Sequence, residues 1–200
     1  MSRPADRRFD AEFFEQYYGN PETRVADDVD AARLVALIAG GTRYVGLRVR
    51  TILDAGCGVG LLRDPLLACF PGARYTGLEI SEYLCAKHGW VHGSLADYAP
   101  RGRFDLVVCH DVLQYLDDRT ASRSLARLAG LAGGVLYFSA LTRHDARHVA
   151  DRARSDFDVH LRTGDWYRRR LRRGFRHLGL GLHLSREMAP VEWELEKPWR

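Results

Sequence analysis

Lysine is scarce in this 200-residue chain, because only Lys87 and Lys197 are found among its 30 basic residues. So strong a preference for arginine is more typical of genomic bias than of selection for phosphate binding. A long apolar run is also lacking, since the longest candidate, Leu128 to Leu141, has 14 residues and includes three glycines. A helix needs about 18 apolar residues to span a bilayer. We therefore expect no membrane partner.

The N-terminal residues lack the apolar segment of a secretory signal. The four cysteines, Cys57, Cys69, Cys85 and Cys109, lack C-x-x-C spacing, so neither a zinc site nor a disulfide framework is predicted. Reduced thiols and a cytoplasmic location are expected instead. No cluster of metal ligands stands out, and no metal is predicted.

The length and the 46% hydrophobic content predict one globular domain. The net charge of +4 is unevenly distributed: residues 1–100 carry 11 basic and 13 acidic residues, and residues 101–200 carry 19 and 13. Much of the excess lies between Arg162 and Arg176, where seven arginines accompany a single acid, Asp165. Such a cluster can bind nucleic acid, but an exposed helix face is the simpler interpretation.

Short apolar runs alternate with longer amphipathic ones, as is typical of βαβ units and a parallel sheet. Five strands are predicted at 51–55, 74–79, 90–93, 104–109 and 134–140, with helices at 59–70, after Ser81, at 118–131 and at 166–173. The runs 177–185 and 191–196 are close enough to pair as a hairpin. We therefore predict an α/β, Rossmann-like, doubly wound sheet of seven strands, mostly parallel, preceded by helices near 11–18 and 27–39.

The most informative motif is Asp54-Ala-Gly-Cys-Gly-Val-Gly60, at the first turn from strand to helix. Glycines there let the backbone approach a ligand closely. A dinucleotide fingerprint, G-x-G-x-x-G, would require glycine at position 61, where the chain has Leu61. The Asp54 carboxylate would repel a pyrophosphate and attract an ammonium group.

This run resembles the first motif of the class I S-adenosylmethionine-dependent methyltransferases, and the resemblance extends over residues 50–140. It implies that the glycine turn surrounds the methionine part of S-adenosylmethionine, which leaves as S-adenosylhomocysteine. It also implies that Glu79, at the end of the second strand, binds the ribose hydroxyls and that Ile80 packs on adenine. The implied cofactor-binding residues are Asp54, Gly56, Cys57, Gly58, Glu79, Ile80, Ser94, Leu95 and Cys109. At Ser94 the family usually has an acid, so the Leu95 backbone is the alternative contact.

The fourth strand ends at His110, which the resemblance places beside the reactive methyl group. We consider two roles for His110, a base or substrate-orienting group on the one hand and simple packing on the other. Substrate contacts are expected from the N-terminal helical lid, residues 1–50, and from the polar insert at 141–163. The candidates are Tyr17, Tyr18, Gln114, His144, His160 and Arg162.

Motifs typical of enzymes that methylate nucleic-acid bases or protein arginines are lacking beside Cys109 and Asp111. A small-molecule acceptor, methylated on N, O or S, is therefore the preferred hypothesis, with nucleic acid an unlikely partner. Two alternatives remain. The first is an RNA- or protein-directed methyltransferase that uses the arginine-rich helix. The second is a non-catalytic binding module with the same fold. The oligomeric state is left open.

Overall fold

A seven-stranded sheet forms the centre of the molecule in a computed structural model that describes residues 9–188. The strands are β1 (Thr51–Ala55), β2 (Arg74–Glu79), β3 (Val91–His92), β4 (Phe104–His110), β5 (Ala132–Ser139), β6 (Phe175–Gly179) and β7 (Leu182–Ser185). Their order is β3-β2-β1-β4-β5-β7-β6, and β1 to β5 are parallel. In the described sheet β7 runs opposite to the other strands, so it pairs antiparallel with both β5 and β6. The predicted fold class is confirmed.

Helices cover both faces of this sheet. They are α1 (Ala11–Phe14), α2 (Asp28–Tyr44), α3 (Arg63–Cys69), α4 (Glu82–His88), α5 (Asp118–Leu131), α6 (Asp145–His148) and α7 (Gly164–Leu171). A π-helical turn, Glu15–Gly19, continues α1, and a 3-10 turn occupies Leu113–Tyr115. Side chains define several starts: Asp27 and Asp30 form a capping box on α2, and Ser81 caps α4 as predicted. Among the described residues, no helix is long and apolar enough to cross a membrane.

The central strands β1, β4 and β5 are buried on both faces, which explains their nearly continuous apolar runs. Alternate residues therefore enter two separate cores. Leu53 and Val107 pack with α5 and α7, whereas Ile52 and Leu106 pack with α2 and α3. Chain order reverses between β1 and β4, which makes this the topological switch point where doubly wound folds bind ligands.

The C-terminal hairpin differs from the prediction in its boundaries. The run 177–185 was expected to be one strand, but it contains the turn between β6 and β7. Gly179, Leu180 and Gly181 all have positive φ, at 108°, 50° and 80°, and this reverses the chain within that run. The second predicted strand, 191–196, lies outside the described residues.

The helix predicted over residues 59–70 begins later, at Arg63. Gly60 has φ of 82°, which is incompatible with a helix, and its Cα faces the Trp90 ring. A Cβ at position 60 would lie 2.7 Å from that ring. Gly60 is therefore needed for close packing rather than for contact with a ligand.

Candidate active site

Two adjoining cavities open at the carboxyl ends of β1, β2 and β4. The larger has a volume of about 400 Å³ and the smaller about 140 Å³. Both are lined by Gly56, Gly58, His110 and Asp111, together with aromatic residues of the N-terminal segment. The two cavities therefore form one groove over the switch point, at the place where the sequence predicted the site.

The backbone N–H groups of the glycine loop are already bonded within the protein. Gly56 and Cys57 donate to the Leu78 carbonyl at 2.7 and 3.2 Å, and Gly60 donates to the Cys57 carbonyl at 2.9 Å. Gly58 donates to Glu79 Oε2 at 2.8 Å. These N–H groups are not available to hold a pyrophosphate, which agrees with the interpretation of the glycine spacing.

Glu79 lies at the end of β2, is 6% exposed and lines the smaller cavity. Its Oε1 accepts hydrogen bonds from the Ile80 and Ser81 N–H groups at 2.9 and 3.0 Å. Three backbone donors thus hold this carboxylate in one orientation. Each oxygen retains acceptor capacity, so a vicinal diol could donate to it. Ile80, Ser94 and Leu95 line the same cavity.

Asp54 lies at the carboxyl end of β1 and lines the larger cavity. The Tyr75 hydroxyl donates to Asp54 Oδ2 at 2.7 Å. Burial raises the pKa of Asp54 to about 6, although the Tyr75 hydrogen bond and His110 act in the opposite direction. A bound cation would favour the ionised form of this carboxyl group.

His110 is held by Ser139, its register partner on β5. His110 Nδ1 lies 2.6 Å from Ser139 Oγ, and the Ser139 hydroxyl donates to Asp111 Oδ1 at 2.9 Å. Asp111 has φ of 54°, a conformation that non-glycine residues rarely adopt and that is concentrated at functional sites. The predicted position of His110 at the groove is therefore observed, and Ser139 is a residue that the sequence did not reveal.

The N-terminal segment lies over both cavities. Phe9 and Phe14 line the smaller one, Tyr17 lines the larger one, and Phe13 and Tyr18 line both. The Phe9 carbonyl accepts a hydrogen bond from the Ser81 hydroxyl at 2.6 Å, which fastens this segment to the end of β2. Burial, and then the nearby carboxylates, raise the pKa of Tyr18 well above its ordinary value. Two of the predicted substrate contacts, Tyr17 and Tyr18, are therefore at the groove.

Gln114 is also at the groove, on the 3-10 turn after β4. Its side chain is 5% exposed, it lines the larger cavity, and its Oε1 is buried without a hydrogen-bond partner in the described structure. Buried acceptors are rarely left unpaired. Gln114 Oε1 thus lacks the partner that buried acceptors normally have.

The prediction that Arg162 contacts substrate is corrected by the structure. Arg162 is buried away from both cavities, and its guanidinium donates to Asp118 Oδ1 at 2.7 Å, to the Leu113 carbonyl at 2.8 Å and to the Leu116 carbonyl. It stacks 4.8 Å from the Trp166 ring centroid. Arg162 thus supports the turn that carries Gln114.

His144 and His160 are exposed and do not line either cavity. His144 contacts His148, whereas the His160 backbone N–H donates to the Gln114 carbonyl at 2.7 Å. The predicted insert reaches the larger cavity through other residues, Leu141, Ser155 and Asp156. The polar character of the insert correctly indicated that this segment reaches the groove, but it did not show which of its side chains line the cavity.

Cys57 and Cys109 have different positions. Cys57 lines the larger cavity, but Cys109 is fully buried in the core on the α5 and α7 side and lines neither cavity. The prediction that Cys109 binds the cofactor is therefore wrong for its side chain. Burial raises the pKa of both thiols far above the ordinary range, so neither is a ready nucleophile.

The arginine-rich segment contributes nothing to either cavity wall. Arg170 lies over the Trp166 ring at 3.6 Å, and Arg168 bonds Asp165 at 2.6 Å. Like Arg162, these side chains have structural partners. The described clusters of His, Cys, Asp and Glu include none that could hold a metal ion.

Comparison with known proteins agrees with this geometry. Residues 53–136 match the family model described as a methyltransferase domain. This segment is therefore similar to a methyltransferase domain. The matched residues run from β1 to β5 and include the glycine loop, Glu79 and His110. The family predicted from these motifs is confirmed.

The curated proteins to which this chain is similar include two ubiquinone biosynthesis O-methyltransferases. That of Aromatoleum aromaticum is 29% identical over 115 residues, which is 51% of this chain and 48% of the relative. That of Nitrosomonas europaea is 32% identical over 118 residues, or 52% and 49%. The chain thus spans about half the length of the curated relatives it matches.

Solved structures share the fold over more of the chain. The magnesium protoporphyrin IX methyltransferase of Synechocystis PCC 6803 with bound S-adenosylmethionine aligns with a TM-score of 0.63 and 22% identity, covering 90% of this chain and 94% of that one. A sugar N-methyltransferase from Streptoalloteichus aligns with a TM-score of 0.64 and 19% identity, covering 88% and 92%. At these identities the likeness shows the fold.

Proposed function

We propose that this protein binds S-adenosylmethionine and transfers its methyl group to a small-molecule acceptor. The observation that carries the proposal is the pair of buried carboxylates, Asp54 and Glu79, on neighbouring strand ends of one groove. The two acids suit two parts of that cofactor, the ammonium group of its methionine part and its ribose diol. Asp54 lines the larger cavity and Glu79 lines the smaller one, so a cofactor that contacts both acids would extend through both cavities.

The residues present fit the cofactor on structural grounds. Gly58 has φ of 53°, and a Cβ built on it would contact nothing, so open space lies beside the loop backbone. Glu79 would hold the ribose hydroxyls, and Ile80 and Leu95 would pack against adenine. Asp54 would pair with the ammonium group of the methionine part. When bound, the cofactor supplies an electrophilic methyl group on a positively charged sulfur.

His110 is proposed to accept a proton from the acceptor group. The Ser139 hydroxyl donates to Asp111, so it must accept from His110 Nδ1–H. The Nε2 atom then carries the lone pair, and it lies 3.9 Å from Asp111 Oδ2. The Asp111 carboxylate would stabilise the imidazolium formed after proton uptake.

Several further parts of the proposal concern partners and location. The N-terminal segment is proposed to act as a lid, because its aromatic side chains line both cavities. Nucleic acid is not proposed as substrate, since the arginine-rich segment lines neither cavity and several of its side chains bond within the protein. The four free cysteines support a cytoplasmic location.

Isothermal titration calorimetry with S-adenosylhomocysteine tests the proposal directly. We expect the wild-type protein to bind, and Glu79→Ala to weaken binding by at least about tenfold, because two hydroxyl contacts to a charged acceptor are lost. Glu82→Gln is the matched control, since Glu82 lies exposed in the first turn of α4. Absence of binding by the wild-type protein, or equal binding by Glu79→Ala, would refute the proposed function.

A further inference from the structure

We propose that the larger cavity selects a small acceptor whose reacting group is an amine, held by wall carboxylates and by the Gln114 amide oxygen. This inference rests on the proposed function, because it names the substrate class of the same site. It depends on three independent features of the cavity: its charge, an unpaired acceptor and its aromatic surface.

The charge of the described cavity wall is strongly one-sided. It contains Asp30, Asp54, Asp111 and Asp156, with one imidazole and no lysine or arginine. A carboxylate or phosphate ester would meet only like charges in this space, whereas an ammonium group would be attracted. These carboxylates do not form a cluster that could hold a metal ion.

Two of the acids come from segments outside the sheet. Asp30 lies in the first turn of α2, and its Oδ2 accepts from the Asp27 N–H at 3.3 Å. Asp156 lies in the segment before α7, and its Oδ1 accepts from the Asp158 N–H at 2.9 Å. Both carboxylates are therefore oriented by the backbone while they face the cavity. Asp54 is assigned to the cofactor, so the acceptor would meet Asp30, Asp111 and Asp156, of which Asp30 also lies 3.8 Å from the Arg33 guanidinium.

Gln114 provides the second observation. Gln114 is only 5% exposed, and its Oε1 has no hydrogen-bond partner in the described structure. The turn that carries it is fixed by the Arg162 guanidinium, so the amide cannot easily turn towards solvent. A ligand N–H group in the cavity would satisfy this acceptor.

Aromatic side chains complete the wall. Phe13, Tyr17 and Tyr115 all line the larger cavity, and Phe13 and Tyr17 pack with ring centroids 4.9 Å apart. Aromatic faces attract cations as well as apolar surface. An alcohol could also donate to Gln114, but it would gain little from the carboxylates. The three features together favour an amine.

The group transfer is balanced as follows. The acceptor enters as an ammonium ion and loses one proton to His110 Nε2. The nitrogen lone pair then forms the new N–C bond, while the C–S bond of the bound cofactor breaks and leaves both electrons on sulfur. The products are a methylated ammonium ion and a neutral thioether, and the proton on His110 passes to solvent.

The first experiment measures binding with three probes of similar shape: phenethylamine, 2-phenylethanol and phenylacetate. Each is titrated calorimetrically into the full chain saturated with S-adenosylhomocysteine. We expect phenethylamine to bind at least about tenfold more tightly than either of the others. Equal binding of the amine and the alcohol, or tighter binding of the carboxylate, would overturn the inference.

Two variants make the test specific. Asp156→Asn should weaken phenethylamine binding by about fivefold or more, because a charge is lost while the turn acceptor is kept. Asp151→Asn is the control, since Asp151 makes the same kind of turn, accepting from the Ala153 N–H at 2.9 Å, but lines neither cavity. If both variants bind the amine like the wild-type protein, the carboxylates do not select it.

Gln114→Met separates a ligand contact from a structural role. Methionine has a side chain of similar volume to glutamine, so the substitution removes a buried unpaired acceptor without leaving a cavity. The melting temperature of the ligand-free protein should therefore stay level or rise. Phenethylamine binding should fall at the same time. A lower melting temperature with unchanged amine affinity would overturn the role of Gln114.

The inference can fail without the proposed function. Binding of S-adenosylhomocysteine together with indifference to the amine would refute only the acceptor class. Failure to bind S-adenosylhomocysteine would refute the proposed function, and the amine titration on the ligand-free chain would still report on the cavity.

Discussion

The Ser139 hydroxyl lies 2.6 Å from His110 Nδ1, across the register pair that joins the ends of β4 and β5. The same hydroxyl donates to Asp111 Oδ1, so it orients the histidine and the acid together. Ser139 acts as a positioning residue, because it fixes the tautomer and the ring orientation of His110.

Ser139→Ala should lower kcat by about tenfold or more, with little change in affinity for S-adenosylhomocysteine, because the ring loses its orientation but the cofactor contacts persist. His110→Ala should cause a larger loss. Ser139→Thr keeps the hydroxyl and should restore most of the activity. The pH profile of kcat distinguishes the roles, since a merely structural serine would leave its shape unchanged in Ser139→Ala. Unaltered kcat in both alanine variants would contradict a proton-transfer role.

The affinity for S-adenosylmethionine should decrease as the pH falls through 6. Burial raises the pKa of Asp54 to about 6. The carboxyl group is therefore mostly ionised at pH 7 and mostly neutral once the pH is below its pKa. A neutral carboxyl attracts the ammonium group less, and the affinity should decline by about tenfold per pH unit at most.

Calorimetry at a series of pH values checks this expectation. Asp54→Asn should bind weakly at every pH and remove the dependence near pH 6. Asp64→Asn is the control, because Asp64 is exposed on α3 and lines neither cavity. A wild-type affinity that does not change between pH 5 and 7 would contradict the role assigned to Asp54.

Arg162→Met should lower the free energy of unfolding by about 2 kcal/mol or more, because it leaves the Leu113 and Leu116 carbonyls of the turn without their buried donor. It should also weaken acceptor binding, since Gln114 lies on that turn. Chemical denaturation and amine titration measure the two effects. Arg169→Met is the control on the exposed side of α7, and an equal loss of stability there would contradict the assigned role.

The sequence was sufficient for features that depend on neighbouring positions. Asp54 directly precedes the glycine motif and Glu79 ends the second strand, so the motif and the family resemblance together predicted both acids at the site. Ser139 was missed because its contact with His110 depends on the register between β4 and β5, which no local pattern reveals. Cys109 was misplaced because both faces of β4 are buried, so polarity does not show which residues face the groove.

Arg162 was misassigned for a different reason. A polar insert with histidines and arginines looks like a binding segment, but burial of one arginine depends on acceptors more than 40 residues away in sequence, such as Asp118. The hairpin boundaries were wrong because the Gly179 to Gly181 turn interrupts an otherwise strand-like run.

His183 makes the protein sensitive to acid. Its side chain is buried on β7 beside His177, with ring centroids 5.0 Å apart. Burial, and then the charge of His177, lower the pKa of His183 to about 4 from the ordinary histidine value of 6.5. Between pH 6.5 and 4 the unfolded chain therefore binds a proton that the folded protein does not, and the free energy of unfolding must fall as the pH falls.

The expected loss is about 3 kcal/mol across that interval, since each pKa unit corresponds to about 1.4 kcal/mol. Above pH 6.5 both states are neutral at this residue, so His183 makes no further difference to stability there. Urea denaturation at pH 7.5, 6, 5 and 4 measures the slope. Because other groups also titrate, the decisive comparison is His183→Gln, which should show a shallower decline than the wild-type protein. His88→Gln, at an exposed position at the end of α4, should retain the full decline. Identical slopes in all three proteins would show that His183 is protonated equally in the folded and unfolded states.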